Sequence, residues 1–129
     1  MAATLVVYWA ALCVGTHLPG HFIASPASMS DKSIHFLAYA VLSFLLAMLM
    51  NLMGVRGWRV CWEALLIAVV YGAVDELAQI PIPGRTAELG DWFADVTGAL
   101  TGVICYWLTM VAARERVSRR WLQKKPSPP

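Results

Sequence analysis

The chain of 129 residues is unusually apolar: 59% of its residues are hydrophobic and 14% are charged. In soluble globular domains about a quarter of the residues are charged. The mean hydropathy is +0.61, and a single core in a chain this short cannot hide long apolar stretches. The composition therefore argues against a soluble enzyme, a disordered protein and a small disulfide-built domain.

The first apolar segment comprises residues 2–18 and ends before Pro19, Gly20 and Pro26. It is short for a membrane-spanning helix, which needs about 20 mostly apolar residues. A cleaved signal peptide is the alternative. Such peptides begin with positive charge, whereas no Lys or Arg precedes residue 32. We therefore interpret this segment as a first span.

Three further segments are long enough to cross a membrane. Residues 33–55 are 23 residues without a formal charge, and residues 96–113 are another 18. Residues 60–79 reach spanning length only if Asp75 and Glu76 lie inside the helix. The sequence thus predicts an all-α fold, a membrane helical bundle of about four transmembrane helices over residues 1–113, followed by a basic tail over residues 114–129.

The charges are distributed unevenly along this predicted topology. Four spans put the loop with Arg56 and Arg59 on the same side as the tail. That side carries eight basic and two acidic residues, and the other side carries two basic and six acidic residues. Because Lys and Arg in short loops stay cytoplasmic, we expect both termini in the cytoplasm. The tail is expected to contact anionic lipids, and no folded module accompanies it that would indicate nucleic-acid binding.

Polar residues in three segments recur at intervals of four, which places them on one helix face. The predicted ligand-binding or site-organising residues are Asp31, Lys32, His35, Tyr39, Asp75, Glu76, Gln79, Arg85, Asp91 and Asp95. Below Asp95, Gly98 and Gly102 have the G-x-x-x-G spacing that lets two helices approach closely. The ten polar positions fall near the outer ends of the predicted spans, so we expect a shared polar site there.

Carboxylates within or near a span are costly unless they face a bundle interior or water. The candidate cations are Lys32, His35 and Arg85. Some carboxylates must therefore pair with Lys32 or Arg85, become protonated, or bind a cation. A purely structural alternative makes Asp31 a favourable first-turn acid and His35 a hydrogen-bond partner. No metal signature such as H-E-x-x-H is present, and we assign neither a metal site nor a cofactor.

Three motifs follow one another over about residues 31–102: D-K-x-x-H-F-x-x-Y from Asp31, D-E-x-x-Q from Asp75, and P-G-R from Pro83 followed by Asp91 and D-x-x-G from Asp95. Their order and spacing resemble the VanZ-like family of small bacterial integral membrane proteins. The resemblance implies the bacterial cytoplasmic (inner) membrane, the cell envelope, and a link to resistance against the glycopeptide teicoplanin. Asn is common in the family at the position of Asp95, which implies a protonated Asp95 or one paired with Arg85.

Three functions are compatible with these residues. The first, which we favour, is an outer-leaflet polar pocket that binds or handles a lipid head group, a lipid-linked envelope precursor or an amphiphilic glycopeptide. The second is an intramembrane enzyme acting on a lipid-linked substrate, with Asp75 or Glu76 as general base, His35 as acid and, in one version, a divalent cation held by the carboxylates. We regard it as less favoured because no Ser or Cys lies in a recognisable nucleophile setting. The third is a structural subunit of an oligomer or a larger membrane complex.

Overall fold

The computed structural model describes residues 1–18 and 30–124, and within these ranges it contains four α-helices. They are α1 (Ala2–His17), α2 (Asp31–Leu52), α3 (Trp58–Gln79) and α4 (Leu89–Lys124). The predicted all-α fold with four helices is confirmed. Pro19, Gly20 and Pro26, which were predicted to end the first segment, and residues 125–129 of the tail lie outside the described residues.

Local sequence explains where the helices begin and turn. Ser30 precedes α2, and its hydroxyl accepts a hydrogen bond from the Ser33 backbone N–H at 3.3 Å, which satisfies a free donor of the first turn. Between α2 and α3 the chain passes through Gly54 and Gly57 with φ values of 96° and 71°. Such left-handed backbone favours glycine, so these two residues permit the reversal of direction.

The largest difference from the predicted segments concerns α4. This helix has 36 residues, a length of about 54 Å, whereas residues 96–113 alone were predicted to span. Helix propensity is high for Arg, Lys and Glu, so the charged residues after Ala113 continue the helix to Lys124. The first charged residues indicate where the membrane-spanning part of a helix can end, but they do not indicate where the helix itself ends. The domain boundary at residue 113 stays a prediction.

The central helix of the bundle is α2, which contacts each of the other three helices and packs most extensively on α4. A Cβ atom at Gly98 would collide with the backbone carbonyl oxygen of Phe36, and one at Gly102 with that of Ala40. These glycines thus hold α4 against the backbone of α2, in parallel orientation. Within the same contact the Ser43 hydroxyl donates to the Ala99 carbonyl at 2.8 Å.

Each of the four helices exposes large apolar side chains on its outer surface. Among the described residues, α2 and α4 are long and apolar enough to cross a membrane, whereas α1, with 16 residues, is shorter. Because of its charged residues, α3 is not among the helices that are apolar enough to cross a membrane. Its outer face nevertheless exposes Leu66, Val70 and Val74. Its inner face is formed by Ala64, Ala68 and other small residues, which allow close packing.

Candidate functional site

Buried polar side chains gather at the end of the bundle where α1 and α3 finish and α2 and α4 begin. We call them the polar cluster, which consists of His35, Tyr39, Asp75, Glu76, Gln79, Asp91 and Asp95. Each of these residues is at most 6% exposed. The cluster brings together residues that are up to 60 positions apart along the chain. The three other predicted site residues lie at its rim, where Asp31 and Lys32 are exposed and Arg85 is half-buried.

His35 and Asp95 form the innermost contact of the cluster. The Nδ1 atom of His35 lies 2.9 Å from Oδ1 of Asp95, and the side chains are 6% and 0% exposed. Of the two alternatives predicted for Asp95, the pairing with Arg85 is wrong, and protonation stays a prediction. Asp95 lies on the first turns of α4, which run alongside the first turns of α2, and this register places His35 beside it.

Asp75 is bound by uncharged donors. The Thr16 hydroxyl donates to Oδ1 at 3.0 Å, and the side-chain amide of Gln79 donates to Oδ2 at 3.3 Å. His17 approaches the same carboxylate, with Nδ1 3.8 Å from Oδ1. Thr16 and His17 were missed in the sequence, where the available signal was two polar residues at the end of an apolar helix.

Glu76 reaches from α3 to the start of α4. Its Oε2 atom accepts a hydrogen bond of 2.9 Å from the backbone N–H of Glu88, the residue immediately before α4. A carboxylate at the beginning of a helix is favoured by the unpaired N–H groups there. Glu76 therefore ties the end of α3 to the beginning of α4, and no side chain of the described residues donates to it.

Lys32 bridges α2 to α4 at the rim. Its Nζ atom lies 2.8 Å from Asp91 Oδ1 and 3.2 Å from Glu88 Oε2. The lysine and Glu88 side chains are more than half exposed, whereas Asp91 is buried. The predicted pairing of a carboxylate with Lys32 thus occurs with Asp91, and Glu88 is a second partner that the sequence did not indicate.

Arg85 contacts backbone rather than carboxylates. Its Nη2 atom donates to the Gly15 carbonyl at 3.1 Å and its Nε atom to the Leu18 carbonyl at 3.4 Å. A cation at the C-terminal end of a helix binds the carbonyls left unpaired there. Among residues 1–18 and 30–124 no carboxylate forms an ion pair with it, so the predicted pairing of a carboxylate with Arg85 is wrong.

A cavity of about 470 Å³ opens between α1 and α2 beside the polar cluster. Its polar wall includes Asp31, His35 and Arg85, and its apolar wall includes Leu12 and Ile34. The volume falls within the range of small-ligand pockets, about 300–1,000 Å³. A second cavity of about 460 Å³ lies at the opposite end of the bundle and has no carboxylate in its lining. Of these two cavities, the first is therefore the one that is lined by predicted site residues.

The site offers two sets of side chains with the donor types of metal ligands. His35, Glu76 and Asp95 are all buried, and one ligand atom from each lies within 4.8 Å of the others. Asp31, His35 and Asp91 form a second set nearer the rim. The contact between His35 and Asp95 is also the arrangement that orients a histidine for proton transfer. Arg85 adds a cation that could bind a phosphate or a carboxylate.

Comparisons with known proteins identify the family. The model of a family described as VanZ/LLP1 matches residues 5–111, a range that includes every predicted site residue. No similar curated protein and no similar solved structure was found. The match confirms the resemblance carried by the three motifs. Together with the two helices apolar enough to cross a membrane, it identifies a membrane protein, and the chain belongs to the VanZ/LLP1 family.

Proposed function

We propose that the chain binds the anionic group of an amphiphile in the cavity between α1 and α2. One observation carries this proposal: Arg85 lines the cavity and, within the described part of the chain, forms no ion pair with a carboxylate. A guanidinium donates up to five hydrogen bonds, and Arg85 uses two N–H groups on backbone carbonyls. The remaining donors are suited to a phosphate or a carboxylate.

The cavity also suits the apolar part of such a molecule. Leu12 of α1 and Ile34 and Ala38 of α2 line it next to the polar wall. A lipid head group, a lipid-linked envelope precursor and an acylated glycopeptide share this chemistry, an anionic group joined to an acyl or prenyl chain.

The proposed setting is the bacterial cytoplasmic membrane, crossed four times, with both termini in the cytoplasm. Three features support a crossing by α3 in spite of its carboxylates. Its 22 residues extend about 33 Å, its outer face is apolar, and Asp75 and Glu76 point into the bundle with 2% and 6% exposure. Buried, hydrogen-bonded carboxylates avoid most of the cost of facing lipid. The polar cluster then lies at the outer leaflet.

This topology predicts which introduced cysteines can be labelled from outside intact cells. In a background with Cys13, Cys61 and Cys105 replaced by alanine, Ala87→Cys in the connection between α3 and α4 should react with a membrane-impermeant maleimide. Met53→Cys, in the exposed turn between α2 and α3, is the matched control and should react only after permeabilisation. Labelling of both cysteines from the same side would show that α3 does not cross.

Lipid binding is tested with the full chain in nanodiscs or detergent, by native mass spectrometry with phosphatidylglycerol and a polyprenyl phosphate. A hydrogen bond to a charged group contributes about 1.5–3 kcal/mol, so Arg85→Gln should weaken binding by about 10- to 100-fold. Arg56→Gln is the matched control, since this exposed arginine contacts Asn51 at the opposite end of the bundle.

Competition identifies which amphiphile the site prefers. Phosphatidylcholine, whose head group carries no net charge, should not displace the anionic lipids. Teicoplanin, added as a competitor, should displace them if the glycopeptide is a ligand of the same site. Equal binding by wild type and Arg85→Gln would contradict the proposal, provided that both chains elute as folded species.

The buried contact between His35 and Asp95 supports a second candidate, the acid–base enzyme. A carboxylate that holds one imidazole nitrogen leaves the other to exchange protons with a substrate. The experiment is a search for products when the polyprenyl phosphate or a lipid-linked precursor is incubated with the chain. Turnover that disappears in His35→Gln but persists in Arg56→Gln would favour catalysis over binding alone.

A further inference from the structure

We infer that His35, Glu76 and Asp95 bind a divalent transition-metal cation between α2, α3 and α4. One donor atom from each side chain lies within 4.8 Å of the others. The Nδ1 atom of His35 is 2.9 Å from Asp95 Oδ1. Two adjacent ligands of an octahedral ion, at right angles and each about 2.1 Å from the metal, are about 3.0 Å apart, whereas two tetrahedral ligands at that distance are about 3.4 Å apart. The pair is therefore spaced for a shared cation as well as for a hydrogen bond.

Two polar atoms of the polar cluster lack a partner among the described residues, one of them on a proposed ligand, Asp95. Asp95 Oδ2 and the Tyr39 hydroxyl are buried and have no hydrogen-bond partner in the described part of the chain. Both residues are 0% exposed. Their side chains converge on Gly72, whose Cβ, if present, would lie 3.1 Å from Asp95 Oδ2 and 3.2 Å from Tyr39 Cε1. Leaving a buried carboxylate oxygen unpaired is costly, and a cation removes that cost.

The balance of charge also favours a cation. Asp91 is paired with Lys32, whereas Glu76 accepts only a backbone N–H and Asp75 only uncharged donors within 3.5 Å. Within residues 1–18 and 30–124, His35 is the one buried basic side chain. Several carboxylates this close cannot all be ionised without counter-charge. A divalent ion supplies that charge.

The donor set points to a transition metal. One imidazole nitrogen with two carboxylates suits Zn²⁺, Mn²⁺ or Fe²⁺, whereas Mg²⁺ and Ca²⁺ prefer oxygen donors alone. The set nearer the rim is less suited, because its Asp91 is already bound to Lys32. Glu76 and Asp95 have no lysine or arginine partner among the described residues. The metal site requires no lipid in the neighbouring cavity, so it can exist even if the proposed function is wrong.

The experiment uses the full chain in detergent, stripped with EDTA and titrated with Co²⁺, a spectroscopic substitute for Zn²⁺. We expect visible d–d absorption that saturates at one equivalent and is displaced by Zn²⁺. Glu76→Gln and Asp95→Asn should each weaken Co²⁺ binding by at least about tenfold, the loss that follows even from removal of an outer-sphere partner. Glu88→Gln and Glu63→Gln are the matched controls and should bind Co²⁺ as the wild type does.

Three results would overturn the inference. The first is a folded wild type that gives no d–d absorption with Co²⁺ and no rise in melting temperature with Zn²⁺ or Mn²⁺. That result would mean that bound protons, and not a metal ion, neutralise the charge of the carboxylates. The second is unchanged binding in Glu76→Gln and Asp95→Asn. The third is weakening in Asp31→Asn without weakening in Glu76→Gln, which would move the metal to the rim set. Because the wild-type titration needs no variant, misfolding of a variant cannot hide the answer.

Discussion

Substitution of Gly98 by leucine is expected to lower the free energy of unfolding by about 3 kcal/mol or more, the upper range for overpacking a tight contact. Even the first side-chain carbon would collide with the carbonyl oxygen of Phe36. Backbone atoms cannot move aside as a flexible side chain can, so α4 must shift away from α2. The measurement is the unfolding midpoint in detergent, followed by intrinsic tryptophan fluorescence and by size-exclusion chromatography.

Gly15→Leu provides the matched control. Gly15 lies within α1, and a Cβ there would meet no atom within 4 Å. Leucine also has the higher helix propensity, so this variant should be as stable as the wild type or slightly more stable. If Gly98→Leu and Gly15→Leu have the same midpoint, α2 and α4 do not meet backbone to backbone.

The helices could be predicted from the sequence because a backbone in lipid must pair all its polar groups internally. A long uncharged segment therefore forms a helix whatever its side-chain pattern, as residues 33–55 and 96–113 illustrate. The same reasoning fails at the C-terminal end of α4. Arg114 and the charged residues that follow end the hydrophobic segment, but they are good helix formers, so the helix continues beyond that segment to Lys124.

Much of the polar cluster was also predictable, since spacing of four residues fixes which side chains share a helix face. Which residues of one helix face contact which residues of the neighbouring helix was not predictable. The contacts of Gly98 with Phe36 and of Gly102 with Ala40 set the register of α4 on α2, and this register places Asp95 beside His35. A single sequence shows the glycines but not the residues that they contact.

The role of Arg85 depends on a contact with α1 that is remote in sequence. Its partners are the carbonyls of Gly15 and Leu18, about 70 residues earlier, and a backbone carbonyl has no signature in the sequence. Charge alone predicts a carboxylate partner for Arg85, because an oppositely charged side chain is the kind of partner that a sequence identifies. Packing of α1 instead left the arginine beside a cavity, which is the basis of the proposed function.

A double-mutant cycle on His35 and Asp95 should show the largest coupling in the molecule. Removing one partner of a buried hydrogen-bonded pair leaves the other polar group unsatisfied, which costs about 1–3 kcal/mol, and more if that group is charged. Asp95→Leu and His35→Leu should each show a loss of this size in EDTA. Leucine branches at the γ position as aspartate does, so the double variant keeps much of the shape and should regain most of the stability.

The matched control is Arg59 and Glu63, one turn apart on the exposed surface of α3 and joined at 2.9 Å. Exposed pairs of this kind contribute about 0.3–0.5 kcal/mol, so the leucine variants there should show almost no coupling. Since the two cycles use the same replacement residue, they differ mainly in burial and in the helices they connect. Additive losses at His35 and Asp95 would contradict a buried pair linking α2 to α4, because each side chain would then be stabilised by other partners or by water.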